Sequence, residues 1–202
     1  MILLLSIFVR TFALADPYVS LDRELEDAVL QQVFQVDSTS ERWTTVEDFS
    51  KTVFPSARVY YEVGLQYNQR GDLKEALRYC EAALQIQADY VPALYDKAEI
   101  LLLQGDSEQA KQSLLRLQSM QDHHWVVSYR LSQISAGAED TRAFEEHLKR
   151  ALQAGMPLQI LVDDRAQWNG LIQSSSMSLS MEMMLSAMGE EGTWNLLKKK
   201  GK

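Results

Sequence analysis

The sequence GDLKEA at residues 71–76 recurs as GDSEQA at residues 105–110, thirty-four positions further along the chain. Tyr61, Tyr95 and Tyr129 are separated by the same interval. Self-similarity at a fixed period of this length is typical of chains built from stacked helical units. The 202 residues are therefore expected to form about three repeated units with flanking segments, and not one globular core.

Each unit is predicted to be a pair of helices joined by a tight turn. Gly71 supplies the left-handed backbone conformation that ends a first helix without a Cβ penalty. Asp72 is predicted to cap the second helix, and Glu75 three residues later completes a capping box. Apolar residues of the first helix recur every three or four positions, which places them on one face: Val59, Tyr60, Val63 and Tyr67.

Residues 57–90 resemble the tetratricopeptide repeat family. That family's pattern has a bulky residue, Leu-Gly and Tyr in the first helix, then Ala, an aromatic residue and Ala in the second. The matching places hold Tyr60, Val63, Gly64, Tyr67, Gly71, Ala76, Cys80 and Ala83. Residues 91–124 form a good second match, whereas in residues 125–158 the glycine, Gly137, falls two positions early. The closing proline is absent from the first two units and one residue late in the third, at Pro157.

The resemblance implies an all-α fold: a right-handed α-α superhelix, or TPR-like solenoid, with helical caps at both ends. Residues 56–157 would form three helix pairs. Residues 16–55 would form an N-terminal helical cap, and residues 158–202 a C-terminal cap with a methionine-rich helix and a lysine tail. Such caps are needed because the terminal repeats of a solenoid otherwise expose apolar faces.

In this family the first helices line a concave groove that holds peptides. The resemblance places nine residues of this chain in that groove: Tyr61, Leu65, Asn68, Tyr95, Glu99, Leu102, Tyr129, Arg130 and Gln133. Three tyrosines offer rigid, amphipathic contact surface at low entropic cost. The alternative is that these tyrosines fill the groove against a flanking helix of the same chain. Tyr61 and Leu65 replace the lysine and asparagine of the family members that bind C-terminal carboxylates, so that mode of binding is rejected.

The function expected from these residues is that of a non-catalytic protein-protein interaction scaffold that binds a partner's peptide or helix and acts as an assembly factor. The alternative is a structural subunit or homo-oligomer whose groove is filled by its own flanking helices. No phosphate-binding glycine loop, nucleophile elbow or HExxH motif is present. The protein is therefore expected not to be an enzyme, and to have no catalytic residue and no cofactor.

Histidine and cysteine give no metal or catalytic site. His123 and His124 are adjacent and point apart on a helix, and His147 has no acidic helper at ligand spacing. Cys80 has no base spaced to activate it and is predicted to be a buried apolar residue. The four methionines of a C-terminal stripe are expected to pack internally, with partner docking and copper binding as alternatives: Met177, Met181, Met184 and Met188.

The charge balance and the two termini bear on partners and location. With 20 Lys and Arg against 28 Asp and Glu, the net charge of −8 disfavours nucleic acid as a partner. The C-terminal lysines indicate a solvated terminus, with contact to an anionic membrane as the alternative.

Residues 1–15 are apolar and end in Ala13-Leu14-Ala15, which indicates a signal peptide and a periplasmic or secreted protein; a cytoplasmic protein is the alternative.

Overall fold

The computed structural model describes residues 17–36, 43–120, 124–164, 168 and 174–199, and every regular element among them is an α-helix. The all-α, TPR-like fold class expected from the sequence is confirmed. The chain divides into two compact units, unit 1 up to Tyr90 and unit 2 from Val91. Within the described ranges, no helix has both the length and the apolar character needed to cross a membrane.

The helices follow the order expected of consecutive pairs. Unit 1 holds α1 (Pro17–Gln35), α2 (Trp43–Val53), α3 (Ala57–Gln69) and α4 (Leu73–Ile86). Unit 2 holds α5 (Val91–Leu103), α6 (Ser107–Ser119), α7 (Trp125–Gly137), α8 (Thr141–Gln153), α9 (Gln159–Asp163), α10 (Ser175–Ala187) and α11 (Glu191–Lys198). The division into a signal peptide, two caps and three repeats stays a prediction, and residues 1–15 lie outside the described ranges.

In each of the pairs α3–α4, α5–α6 and α7–α8 the chain reverses at one residue with a positive φ. The angle is 78° at Gly71, 82° at Gly105 and 58° at Glu139. Gly137, which stands two positions early in the sequence, is the last residue of α7 and does not form the turn. The third pair has therefore kept the 34-residue register of its turn while the turn position carries glutamate in place of glycine.

An aspartate follows the turn residue in every pair and caps the second helix. The carboxylates of Asp72, Asp106 and Asp140 each accept a hydrogen bond from the backbone N–H three residues ahead, at distances of 3.2, 3.0 and 3.0 Å. This bond satisfies one of the amides that a helix start leaves without a partner. The reciprocal half of the predicted capping box is not formed, because the Glu75 carboxylate pairs with Arg78 at 2.7 Å.

Small buried residues let the two helices of a pair approach closely. Gly64 on α3, Ala98 on α5 and Ser132 on α7 stand at the same place in their units, and all three are buried. A Cβ atom added at Gly64 would lie 2.8 Å from the Cβ of Tyr79 on α4. The α3–α4 crossing therefore has no room for a larger side chain at this point.

Helices α1 and α2 pack on the first pair and bury a carboxylate there. Val33 and Trp43 form a core cluster with Val63 and Tyr79. Glu47 of α2 is only 7% exposed, and it accepts hydrogen bonds from the hydroxyl of Tyr67, at 2.7 Å, and from that of Tyr79. These bonds compensate for the burial of the carboxylate and attach α2 to both helices of the pair.

The core of unit 2 gathers the C-terminal helices around the third pair. Its buried residues include Phe144 on α8, Met181 on α10 and Trp194 on α11. Trp168, which lies between α9 and α10 in the chain, belongs to the same core. Within the C-terminal cap predicted from residue 158 onward, the first described helix, α9, ends at Asp163. Trp168 is helical and 1% exposed.

Replacing Glu139 with glycine is expected to stabilise the protein. A non-glycine residue in the left-handed region costs about 1–2 kcal/mol, and part of this gain is lost because glycine adds freedom to the unfolded chain. The expected net increase in the free energy of unfolding is about 0.5–1 kcal/mol, measured by urea denaturation. Glu139 is exposed, so no packing is lost.

The reciprocal substitution Gly105→Ala is the matched control. It places a Cβ at a φ of 82° and is expected to lower the free energy of unfolding by about 1 kcal/mol. Equal effects of the two substitutions in the same direction would contradict the role assigned to the turn residue.

Candidate functional site

A concavity of about 610 Å³, the α5–α7 groove, is lined by residues of α5, α6 and α7 in unit 2 and of the α7–α8 turn. Four of the nine residues that the sequence assigns to the partner-binding groove line it: Glu99, Leu102, Arg130 and Gln133. The first two lie on α5 and the other two on α7, which are the first helices of their pairs. The structure therefore brings these four residues together at one concavity.

An ion pair crosses the groove from one first helix to the next. Nε of Arg130 lies 2.8 Å from Oε1 of Glu99, and both side chains are 28% exposed. Arg130 also donates to the amide oxygen of Gln133 at 2.9 Å. Burial acts against the charge of Arg130, but the Glu99 carboxylate outweighs it and the pKa of the guanidinium is raised. Arg130, the one cation among the nine predicted groove residues, is thus paired with a carboxylate of the same chain.

Tyr95 lies beside this ion pair on α5. Burial raises the pKa of its phenol, and the nearby Glu99 carboxylate raises it further. The side chain therefore stays neutral at physiological pH and is half-buried. Tyr95 is not one of the residues that line the α5–α7 groove.

The groove also contains residues that the sequence reasoning missed. Leu103 is 72% exposed at the groove, next to the half-buried Leu102. Ser107, Glu108 and Lys111 of α6 line the other side. The resemblance implies groove positions only on the first helices, so it gives no signal for α6. The run of three leucines at 101–103 was the available signal, because one helix face cannot bury all three.

Tyr129 is not open to a partner. It is 3% exposed, its hydroxyl donates to Oδ2 of Asp164 at 2.7 Å, and its ring centroid lies 5.7 Å from that of Trp168. Gln133 donates to the same carboxylate oxygen at 3.4 Å. Burial and the Asp164 carboxylate both raise the pKa of Tyr129. At this position the alternative applies, since a flanking segment of the same chain covers the tyrosine.

The adjacent carboxylates Asp163 and Asp164 differ in their exposure. Asp163 is exposed. Asp164 is partly buried and accepts a hydrogen bond from the Tyr129 hydroxyl.

The remaining three predicted groove residues lie in unit 1. Tyr61, Leu65 and Asn68 are partly buried along α3. The ring of Tyr61 packs edge-on against that of Tyr90, with centroids 5.6 Å apart. Of the three tyrosines predicted to line the groove, Tyr61 is the one in unit 1, and its side chain is partly exposed.

His124 and Cys80 have roles in the fold, as a helix cap and as a buried core residue. His124 caps α7 by accepting a hydrogen bond from the Val126 N–H at 3.4 Å, and His123 lies outside the described residues. Cys80 is buried, 2% exposed. Across the described ranges, no group of three or more His, Cys, Asp or Glu residues is arranged to hold a metal ion.

The methionine stripe packs mainly inside the protein. Met177 and Met181 are buried in the unit 2 core and Met184 packs against it, whereas Met188 is 48% exposed. At the C-terminus, Lys198 lies over the ring of Trp194 at 5.1 Å from its centroid and 3.6 Å from Glu182. That lysine is therefore bound to the helical body, and residues 200–202 lie outside the described ranges.

His147 on α8 is predicted to make stability depend on pH. Burial lowers the pKa of its imidazole, so the folded state keeps it neutral at pH values where the unfolded chain, with a pKa of about 6.5, takes up a proton. The contribution of His147 to the free energy of unfolding is fully present above about pH 6.5 and decreases as the pH falls below that value. Charged neighbours are Glu146, Arg150 and Lys111.

Urea denaturation of wild type and His147→Gln at pH 7.5 and pH 5.5 tests this. The wild type is expected to lose more free energy of unfolding between the two pH values than the variant. An unchanged difference in His147→Gln would refute the assignment.

Comparison with known proteins identifies the repeated region. The family model of the tetratricopeptide repeat matches residues 67–124. Protein NPGR2 of Arabidopsis thaliana is 43% identical over 58 residues, which are 28% of this chain and 8% of that protein. An uncharacterized protein of Methanocaldococcus jannaschii, MJ0572, is 30% identical over 67 residues, which are 33% of this chain and 78% of that protein.

A solved structure extends the similarity of fold beyond the repeats. MamA 41-end from Desulfovibrio magneticus RS-1 superposes with a TM-score of 0.60, covering 88% of this chain and 97% of that one at 14% identity. The chain spans a small fraction of NPGR2 and most of the archaeal protein. From the repeat register, the turn geometry and these matches, the chain belongs to the tetratricopeptide repeat family.

Proposed function

We propose that the α5–α7 groove binds a peptide or helix of a partner protein, and that the protein acts as an assembly factor. The fold is that of a protein-protein interaction scaffold and is typically non-catalytic. The observation that carries the proposal is the gathering of Glu99, Leu102, Arg130 and Gln133 around one concavity beside the highly exposed Leu103.

The groove favours a ligand with an apolar anchor and no net charge at its centre. Leu102 and Leu103 provide the apolar surface, and anchors of this kind dominate the energy of many interfaces. Arg130 is already paired with Glu99, so a free carboxylate on the ligand would have to compete with that 2.8 Å contact. A peptide with a leucine-sized or aromatic side chain and a hydrogen-bonding backbone fits this arrangement.

The covering of Tyr129 favours the alternative function, that of a structural subunit. Asp164 and Trp168 cover Tyr129, as expected of a structural subunit whose own flanking segments fill the groove. If a segment of a second copy of the chain filled the groove instead, the protein would be a homo-oligomer. The experiment must therefore distinguish a foreign partner from another copy of this protein.

Export to the periplasm or the exterior is part of the proposal. It is supported by residues 1–15 alone, through their apolar composition and the small residues Ala13 and Ala15. The intact mass of the protein purified from its native host tests it, since cleavage after Ala15 would leave a chain that begins at Asp16.

Site-specific photocrosslinking at Leu103 is expected to trap the partner. A benzophenone amino acid at position 103 lies at the groove, whereas the same residue at Leu115 lies on α6 away from it. Leu115 is also apolar and is 40% exposed, which makes it a matched control. Irradiation in the native host should give a discrete crosslinked protein from position 103 and none from position 115, identified by mass spectrometry.

A second pair of variants measures the energetic role of the same surface. Leu103→Glu is expected to weaken binding of the trapped partner by about tenfold or more, because a buried anchor is lost and a charge is placed in the interface. Leu115→Glu should leave binding unchanged. Crosslinks of position 103 only to another copy of this chain would replace the proposal with the homo-oligomer, and equal crosslinking from both positions would refute a specific groove.

A further inference from the structure

A second concavity, the α8–α10 groove, has a volume of about 790 Å³ and lies on other helices than the α5–α7 groove. Helix α10 contributes Met183 and Met184, the residue that follows the helix contributes Met188, and α8 contributes Leu152. Met183 is 61% exposed and Met188 48% exposed, although the buried methionines of the same helix belong to the core. Methionine side chains are flexible and polarisable, so they adapt to a partner's apolar surface.

Two carboxylates on the rim of this groove are already engaged. The Ser180 hydroxyl donates a hydrogen bond to Glu145, which joins α10 to α8. Glu146 pairs with Arg150 one turn further along α8, at 2.7 Å. The charge of Glu146 is thus paired within the chain, whereas Glu145 is held by a neutral hydroxyl and keeps its negative charge.

Two cations on the same rim are not engaged. Arg142 and Lys149 line the groove, both are exposed, and no residue in the described part of the chain forms a hydrogen bond or ion pair with either side chain. They stand seven residues apart on α8, which puts them on one face about 10 Å apart along the helix axis. The rim therefore carries two cations at its ends, with the carboxylates of Glu145 and Glu146 between them.

We propose that the α8–α10 groove docks an amphipathic helix of a partner protein that carries acidic side chains two turns apart. A helix lying along α8 with carboxylates at i and i+7 would bring one against Arg142 and the other against Lys149. Its apolar side would then meet Met183, Met184 and Met188. This arrangement is the helix-in-groove mode of recognition with a charge match at both ends of the contact.

The order of charges on α8 disfavours a second copy of this chain as the occupant. The rim carries plus, minus, minus, plus at Arg142, Glu145, Glu146 and Lys149. Two such helices related by a twofold axis place like charges together in either direction. Antiparallel contact sets Arg142 against Lys149 and Glu145 against Glu146, and parallel contact sets each residue against itself. Like-charge juxtaposition is unfavourable, so a partner with the acidic pattern fits better.

The test measures binding of designed helices to the full-length protein by fluorescence anisotropy. The probe is a labelled synthetic helix of about 18 residues with a leucine face and two glutamates seven positions apart. Two further peptides replace both glutamates with glutamine or with lysine. The glutamate peptide is expected to bind the wild type about five- to tenfold more tightly than the glutamine peptide.

Charge reversal in the protein provides the decisive comparison. Arg142→Glu combined with Lys149→Glu is expected to reverse the preference, so that the lysine peptide binds better than the glutamate peptide. The matched control, Lys74→Glu with Arg116→Glu, changes the net charge equally at exposed positions outside the groove and should retain the wild-type order. Circular dichroism melts of both double variants check that each remains folded.

Methyl NMR of the methionines locates the contact. The glutamate peptide is expected to shift the methyl resonances of Met183 and Met188 and not that of Met156, which is buried in the core. Equal affinity for the glutamate and glutamine peptides, equal loss in both double variants, or shifts elsewhere would overturn the proposal. The proposal would also be overturned if decanoate, a simple acyl chain, saturated the shifts of Met183 and Met188 by itself. The same holds if these shifts arise without peptide and depend on protein concentration, as self-association would produce.

Discussion

The reversal of the chain at a single left-handed residue, followed by an aspartate cap, is the constraint on which each helix pair depends. The turn ends one helix and begins the next within two residues, which fixes where the second helix starts. The second helix then lies close enough to the first that only a small residue fits at their crossing, as at Gly64. Because this geometry recurs at Gly71, Gly105 and Glu139, the groove-facing residues of α5 and α7 keep the same register as the turns.

The repeated helix pairs were predictable because local chemistry encodes them. The glycine-aspartate turn and the apolar periodicity act over a few residues, so they are legible in the sequence. The third turn shows the limit of this reasoning, since Glu139 takes the left-handed position and only the 34-residue register identifies it. Likewise, Glu47 gives no local signal of burial, because its two tyrosine partners come 20 and 32 residues later in the chain.

The candidate groove was predictable in part for the same reason. Glu99, Leu102, Arg130 and Gln133 follow from the register of the first helices, and the structure places them at one concavity. The covering of Tyr129 did not follow, because Asp164 lies 35 residues away in a segment that has lost the repeat pattern. Tertiary contacts from such segments decide which repeated positions stay open, so identical places in successive units of one chain can differ in availability.

The tryptophans have a practical consequence through their division between the two units. Of the four in the sequence, Trp43 belongs to unit 1, whereas Trp125, Trp168 and Trp194 belong to unit 2. Trp43, Trp168 and Trp194 are each at most 3% exposed, so their emission will shift to longer wavelength when their surroundings open to water. A chain with phenylalanine at position 43 would thus report optically on unit 2 alone, and the difference from the parent spectrum would follow unit 1. The intrinsic fluorophores thereby distinguish whether the two units unfold together or in sequence.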